Sequence, residues 1–360
     1  MSLAGRSDGL ADGAGDDCGS GARSGHARRG AIVGSAVFLA GVVALAIAGL
    51  LSLRIGSVSL TTGEVLGAFT DFDGSNAHLI VRSLRLPRTV IGIGVGAALA
   101  AAGVVMQAIT RNALASPSVL GINSGAAFGV VTAVFVLGVS SPSVYLWFAF
   151  AGALGAAALV YLVGSVGASG PTPVKLVLAG AVVTALLSAW ISTVLIFDQR
   201  SLDEVRSWLA GSLAGRDLAT FGHVAPFLAV GLVVAFALAR SLNTISLGED
   251  VAANLGQNVA VVRGASTVVV VLLAGAAVAA AGPVGFVGLA VPHAVRTVVG
   301  PDHRWLLPVS VVGGPVLVLG ADVLGRVVAR PSEVQVGIVT AIIGAPVLIH
   351  LVRGRQLSPL

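Results

Sequence analysis

The sequence predicts an all-α polytopic membrane protein with about ten transmembrane helices. Of its 360 residues, 56% are hydrophobic and only 10% are charged, whereas soluble domains are usually about a quarter charged. Its mean hydropathy is +0.98. Stretches without Asp, Glu, Lys or Arg cover residues 31–53, 89–110, 112–174, 176–197 and 264–292. Because lipid offers the backbone no hydrogen-bond partners, these stretches are expected to be helices.

A membrane-spanning helix needs about 20 apolar residues, and this length divides the apolar stretches into ten predicted spans. They lie near residues 31–51, 89–109, 117–138, 144–164, 174–197, 219–240, 264–281, 284–297, 305–327 and 334–352. Together they make one transmembrane domain over residues 31–355.

The first 30 residues are rich in Gly, Ser, Asp and Arg, a composition that predicts a disordered cytoplasmic tail over residues 1–30. A cleaved signal peptide is the alternative, because Ala46-Ile47-Ala48 resembles a cleavage site. The apolar segment 31–51 is longer than the usual signal segment of about 7–15 residues. We therefore expect an uncleaved first helix.

Composition also limits the chemistry. Cys18 is the only cysteine, so neither an internal disulfide nor a cysteine metal cluster is expected. The basic residues are scattered, whereas a nucleic-acid surface needs them clustered. No G-x-x-x-x-G-K-[ST] sequence occurs, so any use of ATP requires a partner subunit. No cofactor is expected to bind this chain.

The basic residues divide twelve to nine in favour of an orientation with both termini in the cytoplasm. The outer side then still carries arginines, among them Arg85, Arg88 and Arg326. They suit docking of an acidic partner, since arginine forms bidentate pairs with carboxylates. Interfacial snorkelling or contact with lipid phosphate is the alternative, which composition alone favours.

Two Gly/Ala segments, 96–103 and 275–282, match at an offset of 179 residues. They lie on the second and seventh predicted spans, an odd number of spans apart. The two halves would then run in opposite directions, and the chain carries a candidate inverted internal repeat.

Residues 241–263 form the most polar interior segment. Ser246 is placed to cap a helix with Glu249 three residues later, and Gly256 is placed to end it. Two short amphipathic helices there suit docking into a groove on a partner. A plain interfacial linker helix fits the pattern equally well. The predicted apolar face consists of Val251, Leu255 and Val259.

Several motifs occur in a characteristic order over about residues 55–353. They are Arg85–Arg88 (RLPR), Arg111–Pro117, Leu120–Ala126, Leu247–Gly256, Gly282–Arg296 (GPVGFVGLAVPHAVR), Gly300–Arg304 (GPDHR), Ala321-Asp322, Gly337–Thr340 and Gly344–Pro346. This order resembles the permease subunits of ATP-driven importers for iron-siderophores, haem and cobalamin, the FecCD family.

The resemblance implies partners and site residues. A second permease, two ABC ATPase subunits and an extracytoplasmic substrate-binding protein are expected around this chain in the plasma (inner) membrane, with lipid covering the rest. Docking of the binding protein is implied for Arg85, Arg88 and Arg326, which reverses the preference for lipid contact. A cytoplasmic gate is implied for Asn112 and Leu114. Contact with the ATPases is implied for Leu247, Gly248, Glu249, Ala252, Leu255 and Gly256.

The sequence departs from the family pattern at the predicted gate and beyond. Ala113 stands where the family usually has Pro, and Ser116 where it often has an acid. Gln335 replaces another Pro. Pro173-Val174 occupies a second gate region that is often built from small hydroxyl residues. These departures leave open whether Pro173-Val174 forms a gate.

The expected function is import of a ferric siderophore or related iron chelate, without bond chemistry in this chain. Haem and cobalamin are alternative cargoes. An ion-coupled secondary transporter would rest on Asp322, an acid placed in the membrane. The alternative for Asp322 is an ion pair with Arg326, one helical turn away. His293 lacks a second ligand at a useful spacing, so no metal site is predicted.

Overall fold

The computed structural model describes residues 18–56, 58–167, 172–330 and 332–353. Within these residues the chain forms α-helices and no strands, which confirms the all-α prediction. The α-helices are α1 (Cys18–Arg54), α2 (Thr62–Thr70), α3 (Asn76–Ile80), α4 (Leu86–Thr110), α5 (Ile122–Leu137), α6 (Pro142–Gly164), α7 (Pro173–Phe197), α8 (Gln199–Leu209), α9 (Leu218–Ser246), α10 (Glu249–Asn254), α11 (Val259–Ala281), α12 (Val287–Val299), α13 (His303–Val328) and α14 (Val336–Arg353). A π-helical turn, Val81–Arg85, joins α3 to α4, and a 3-10 turn, Pro117–Leu120, precedes α5.

Ten helical stretches account for the predicted spans. Seven in the described residues are long and apolar enough to cross a membrane: Ile32–Arg54, Asn76–Thr110, Ser143–Gly164, Val174–Phe197, Leu218–Ser246, Val259–Ala281 and His303–Val328. Three shorter apolar helices complete the set: Ile122–Leu137, Val287–Val299 and Val336–Val347. Each overlaps one predicted span in the predicted order, so the helix count is confirmed.

The helix boundaries differ from the prediction at two places. Helix α1 already includes residues 18–30, where Ala and Arg, which favour helices, alternate with Gly and Ser. Residues 1–17 of the predicted tail lie outside the described residues. The second span begins at Asn76 instead of residue 89, because Arg85 and Arg88 have hydrogen-bond and ion-pair partners on other segments and do not end the helix.

Two amphipathic helices, α2 and α8, are additional to the predicted spans. Thr61 and Glu64 form a capping box at the start of α2: the Thr61 N–H donates to Glu64 Oε2 at 2.7 Å, and Thr61 Oγ1 accepts from the Glu64 N–H at 3.3 Å. These hydrogen bonds hold the pKa of Glu64 below its ordinary value. Val205 and Trp208 form the buried face of α8.

Helices α4 and α11 form the centre of the bundle, and both are rich in Gly and Ala. Gly96 lies against the backbone of Pro315 on α13, so that a Cβ added there would lie 2.6 Å from Pro315 Cα. Gly103 lies against the backbone of Gly288 on α12 in the same way. Small residues let the backbones of membrane helices approach this closely. The Gly/Ala segments are therefore packing surfaces.

The helix contacts recur in the two halves of the bundle. Helices α5, α6 and α7 pack on one another as α12, α13 and α14 do, and α4 packs on α13 as α11 packs on α6. The two central helices are antiparallel, because the C-terminal end of α4 (Thr110) lies near the N-terminal part of α11 (Arg263), and Ile91 lies near Ala279. This arrangement supports the predicted inverted repeat.

Candidate docking and coupling sites

The predicted docking arginines gather at one end of the bundle, here called the arginine end. It holds the C-terminus of α1, the π-helical turn with the start of α4, and the C-terminal part of α13. Arg85 is 5% exposed and donates from Nη1 to the carbonyls of Leu53 and Arg54, both at 2.7 Å, and from Nη2 to the carbonyl of Val58. The last carbonyls of a helix have no partner within the helix and favour a cation. Arg85 therefore caps α1.

Arg326, on α13, also donates hydrogen bonds to carbonyls at the end of α1. It is 2% exposed, and its Nη1 donates to the carbonyls of Ser52 at 2.9 Å and Ile55 at 2.6 Å. Its Nη2 donates to Asp322 Oδ2 at 2.8 Å and to Ser52 Oγ at 2.9 Å. The ion pair expected one helical turn apart is thus present.

Asp322 also binds Arg88 across the bundle. Arg88 donates from Nη2 to Asp322 Oδ1 at 2.7 Å and from Nε to both carboxylate oxygens at 3.0 Å. Its Nη1 donates to Glu333 Oε2 at 2.7 Å. The Asp322 side chain is 1% exposed. Both oxygens of this buried carboxylate are therefore occupied by two guanidinium groups, and Asp322 acts as their counter-ion.

A cavity of about 440 Å³ opens at the arginine end. Its charged lining consists of Arg85, Arg88, Arg216, Arg326, Asp217 and Glu333. Arg216 lies in the connection between α8 and α9, and the sequence analysis did not single it out. The only sequence feature that points to Arg216 is its basic side chain on the predicted outer side of the membrane. Burial lowers the pKa of Arg216 and the neighbouring Asp217 partly offsets this, but arginine stays charged near neutral pH.

The opposite end of the bundle, here called the α10 end, holds the predicted coupling residues. Gly248 adopts φ +118 and separates α9 from α10. Gly256, at φ +79, ends α10: its N–H donates to Ala253 O at 2.9 Å, and the Gln257 N–H donates to Ala252 O at 3.0 Å. This pair of bonds is a Schellman motif. The prediction that Gly256 ends the helix is confirmed.

Two local predictions at the α10 end are wrong. Ser246 does not cap α10, because it is the last residue of α9 and its hydroxyl donates to Asn243 O at 2.7 Å. The second short helix is also absent from the described segment, because α11 begins at Val259 and continues into its span. Asn258 caps α11 by accepting from the Val261 N–H at 3.1 Å.

Helix α10 is anchored on one side and free on the other. Ala252 is fully buried with Ile245 and Val262, and Glu249 forms an ion pair with Arg263. Leu247 and Leu255 are 64% and 67% exposed, and Val251 is also exposed. Val251 on α10, Leu255 at its C-terminal cap and Leu247 before the break at Gly248 are the exposed apolar residues of this end, here called the α10 stripe. An apolar helix face of this kind suits a groove on another protein.

The predicted gate residues Asn112 and Leu114 lie at the α10 end, in the connection between α4 and the 3-10 turn. Asn112 Oδ1 accepts from the Leu114 N–H at 2.9 Å, and Asn112 O accepts from the Ala115 N–H at 3.1 Å. Arg111 adopts φ +49 at the end of α4. The two residues therefore belong to one tight turn. Their role as a gate stays a prediction. Pro173-Val174, whose part in a gate the sequence left open, lies at the start of α7.

Helices α9 and α13 are joined beside α10. Asn243 Nδ2 donates to Asp302 Oδ1 at 2.7 Å, and Asn243 Oδ1 accepts from the His303 N–H at 2.8 Å. His293 is buried on α12. Across the described residues, no three His, Cys, Asp or Glu side chains come together in a way that could hold a metal ion.

A ten-span helical bundle with a charged cavity at one end and an apolar stripe at the other defines a membrane-embedded transport subunit. Its residues 44–354 match the FecCD transport family, and the chain belongs to that family. It is accordingly a multi-pass permease and not itself an enzyme.

Alignments with several relatives cover most of the chain. It is 44% identical to the ferric enterobactin transport system permease protein FepD of Escherichia coli (strain K12), over 86% of this chain and 92% of the relative. It is 43% identical to the Fe(3+)-citrate import system permease protein YfmD of Bacillus subtilis (strain 168), over 86% and 92%. Identity to the cobalamin import system permease protein BtuC of Halobacterium salinarum (strain ATCC 700922 / JCM 11081 / NRC-1) is 42%, over 79% and 76%.

The fold is similar to that of a metal-chelate type ABC transporter solved in an inward-facing conformation. The TM-score is 0.78 at 30% identity, and the alignment covers 89% of this chain and 99% of the other.

Proposed function

We propose that this chain is the membrane-spanning permease of an ATP-driven importer that carries a ferric siderophore or a related iron chelate. The α10 stripe carries this proposal. Val251 is exposed on α10, Leu255 at its C-terminal cap and Leu247 just before it. Helix α10 is too short to cross a membrane and is fixed to the bundle by Ala252 and the Glu249–Arg263 pair. This surface suits an ATPase subunit that pushes on α9 and α11 through α10.

The assembly that follows has two permeases, two ABC ATPase subunits at the α10 end, and a substrate-binding protein at the arginine end. Both termini then lie in the cytoplasm. The guanidinium groups of Arg85 and Arg326 already donate hydrogen bonds to carbonyls of α1. Their contribution to docking is therefore to hold the rim of the cavity in place. Arg88 reaches the cavity directly. ATP binds only to the partner subunits.

The α10 stripe is tested by Leu255→Asp. A charge in an apolar interface is costly to bury, so we expect the ATPase to be lost when the complex is purified in mild detergent. Leu66→Asp is the matched control, because Leu66 is also exposed but lies on α2. Retention of the ATPase by Leu255→Asp, at normal expression, would refute coupling through α10.

The cargo is tested with the binding protein that co-purifies with the complex. We expect it to bind ferric siderophores, as the iron-chelate permeases among the relatives suggest. Cobalamin is the second cargo to test because of the 42% identity to a cobalamin permease. Binding of cobalamin without binding of any iron chelate would overturn the proposed cargo and leave the importer in place.

Ion-coupled transport through Asp322 is less well supported, because its carboxylate is held by Arg88 and Arg326. Uptake that persists after ATP depletion and is lost in an Asp322→Asn variant shown to be folded in the membrane would favour that alternative.

A further inference from the structure

The four arginines of the arginine-end cavity differ in their partners. Arg85 and Arg326 donate to backbone carbonyls, and Arg88 binds two carboxylates. Arg216 makes one hydrogen bond, from Nε to Ser212 O at 3.4 Å. Among the described residues, no carboxylate forms an ion pair with it. Arg216 is thus half-buried at the cavity with its two terminal nitrogens available for an acceptor.

The two carboxylates of Arg88 also differ. Asp322, on α13, is buried between the guanidinium groups of Arg88 and Arg326. Glu333 lies at the cavity, in the connection between α13 and α14, and its side chain is 34% exposed. Removing one partner of a buried pair is costly. A partly exposed pair contributes little, because solvent competes for both charges. Glu333 is therefore the carboxylate that Arg88 can exchange.

We propose that Arg216 is a further docking residue and that Glu333 is an internal competitor for the docking partner. A carboxylate side chain of the soluble partner enters the cavity, pairs with Arg216 and replaces Glu333 on Arg88. Asp322 stays bound throughout. This inference rests on the proposed docking at the arginine end. It gives the binding protein a required chemistry, an acidic side chain that reaches into a cavity of about 440 Å³.

The charges account for both steps. Arg216 is already half-buried, so a new pair with it removes only part of the hydration of the cation, and arginine matches a carboxylate with two parallel hydrogen bonds. The exchange on Arg88 replaces one carboxylate by another, and Arg88 therefore keeps the same number of ion pairs. Glu333 then becomes free in the connection before α14.

The test uses the whole importer complex in lipid nanodiscs and measures the Kd of its own binding protein. Arg216→Gln should weaken docking about tenfold and reduce its dependence on salt. Glu333→Gln should tighten docking about threefold, because the competitor is removed while a polar side chain of similar size remains. Arg206→Gln is the control. Arg206 is exposed on α8 and lies outside the cavity lining, so docking should change less than twofold.

The two variants move the Kd in opposite directions, which a general loss of structure would not do. An unchanged Kd in Arg216→Gln overturns the docking role of Arg216. A Kd that is unchanged or raised in Glu333→Gln overturns the competition.

Ala214→Glu separates this inference from the proposed function. Ala214 is exposed and lines the cavity, so a carboxylate there should repel the partner and weaken docking. If Ala214→Glu weakens docking while Arg216→Gln and Glu333→Gln have no effect, only the present inference fails. If Ala214→Glu also leaves the Kd unchanged, docking does not use this cavity and the docking part of the proposed function fails with it.

Discussion

At the scale of single residues, the buried charges of the arginine end form one connected group. Asp322 is the shared counter-ion of Arg88 from α4 and Arg326 from its own helix, and Arg326 in turn binds the last carbonyls of α1. A buried ion pair is a weak source of net stability, but breaking it leaves an unpaired charge. The group therefore ties α1, α4 and α13 together and tolerates little change.

Asp322→Asn should destabilise the protein strongly. The amide keeps a similar shape but leaves two buried guanidinium groups without their shared counter-charge, at a cost of about 3 kcal/mol. The measurement is the thermal midpoint in detergent. Asp203→Asn is the control, since Asp203 pairs with Arg206 at 3.8 Å on the exposed face of α8 and should change stability by less than about 1 kcal/mol. Equal midpoints for the two variants would contradict this assignment.

Gly103→Ala should also be strongly destabilising, for a steric reason. A Cβ at Gly103 would overlap the backbone oxygen of Gly288, which a change of rotamer cannot relieve. Overpacking of a tight contact costs about 1–3 kcal/mol. Gly49→Ala is the control, because nothing lies within 4 Å of its added Cβ and alanine favours a helix. Thermal stability of the purified variants distinguishes the two, and a neutral Gly103→Ala would contradict the close α4–α12 contact.

At the scale of elements, the sequence predicted what composition and local spacing control. Ten spans could be placed because lipid requires about 20 apolar residues for each, and the end of α10 could be placed because a glycine at φ +79 completes its Schellman motif. The start of α10 could not, since Ser246 and Glu249 fit a capping box in sequence while the structure continues α9 through Ser246. A local sequence pattern does not show to which of two neighbouring helices a residue between them belongs.

The candidate site was predictable only in part, because tertiary contacts decide its chemistry. The sequence placed Arg85 and Arg88 at the same end of the bundle as Arg326, and the structure brings the three together there. Their different roles depend on carbonyls of α1 and carboxylates of α13 that lie far away in the sequence. Arg216 has no motif of its own, and its importance appears only when four separate segments form the cavity.

Helix α10 offers an element-scale prediction. Gly256→Ala forces a residue with a Cβ into φ +79, at a cost of about 1 kcal/mol. Because no atom lies within 4 Å of the added Cβ, the effect should stay local. Amide hydrogen exchange within α10 should become about fivefold faster, with α4 unchanged. Gly264→Ala, in open space on α11, is the control. Unchanged exchange in Gly256→Ala would show that the Schellman motif does not hold α10.

At the scale of the whole molecule, the two functional ends are separated by the full thickness of the bundle. The antiparallel pair of α4 and α11 connects them, since α4 begins beside the charged cavity and ends beside α11 near the α10 end. In the proposed assembly, this pair of helices is the route by which a displacement of α10 would reach the cavity. This requires that the two ends face opposite sides of the membrane, with the arginine end outside.

Selective labelling tests that orientation. Cys18 is the only cysteine, so Cys18→Ser gives a background without thiols. Into it we would introduce Ala214→Cys at the arginine end or Asp250→Cys on α10, both exposed positions. In intact cells, a membrane-impermeant maleimide should label Ala214→Cys and leave Asp250→Cys unlabelled, because basic residues favour the cytoplasmic side for the α10 end. Permeabilised cells are the control, since both thiols should then react. Labelling of Asp250→Cys in intact cells would invert the orientation, and the arginine-end cavity would then face the cytoplasm, where an extracytoplasmic binding protein has no access to it.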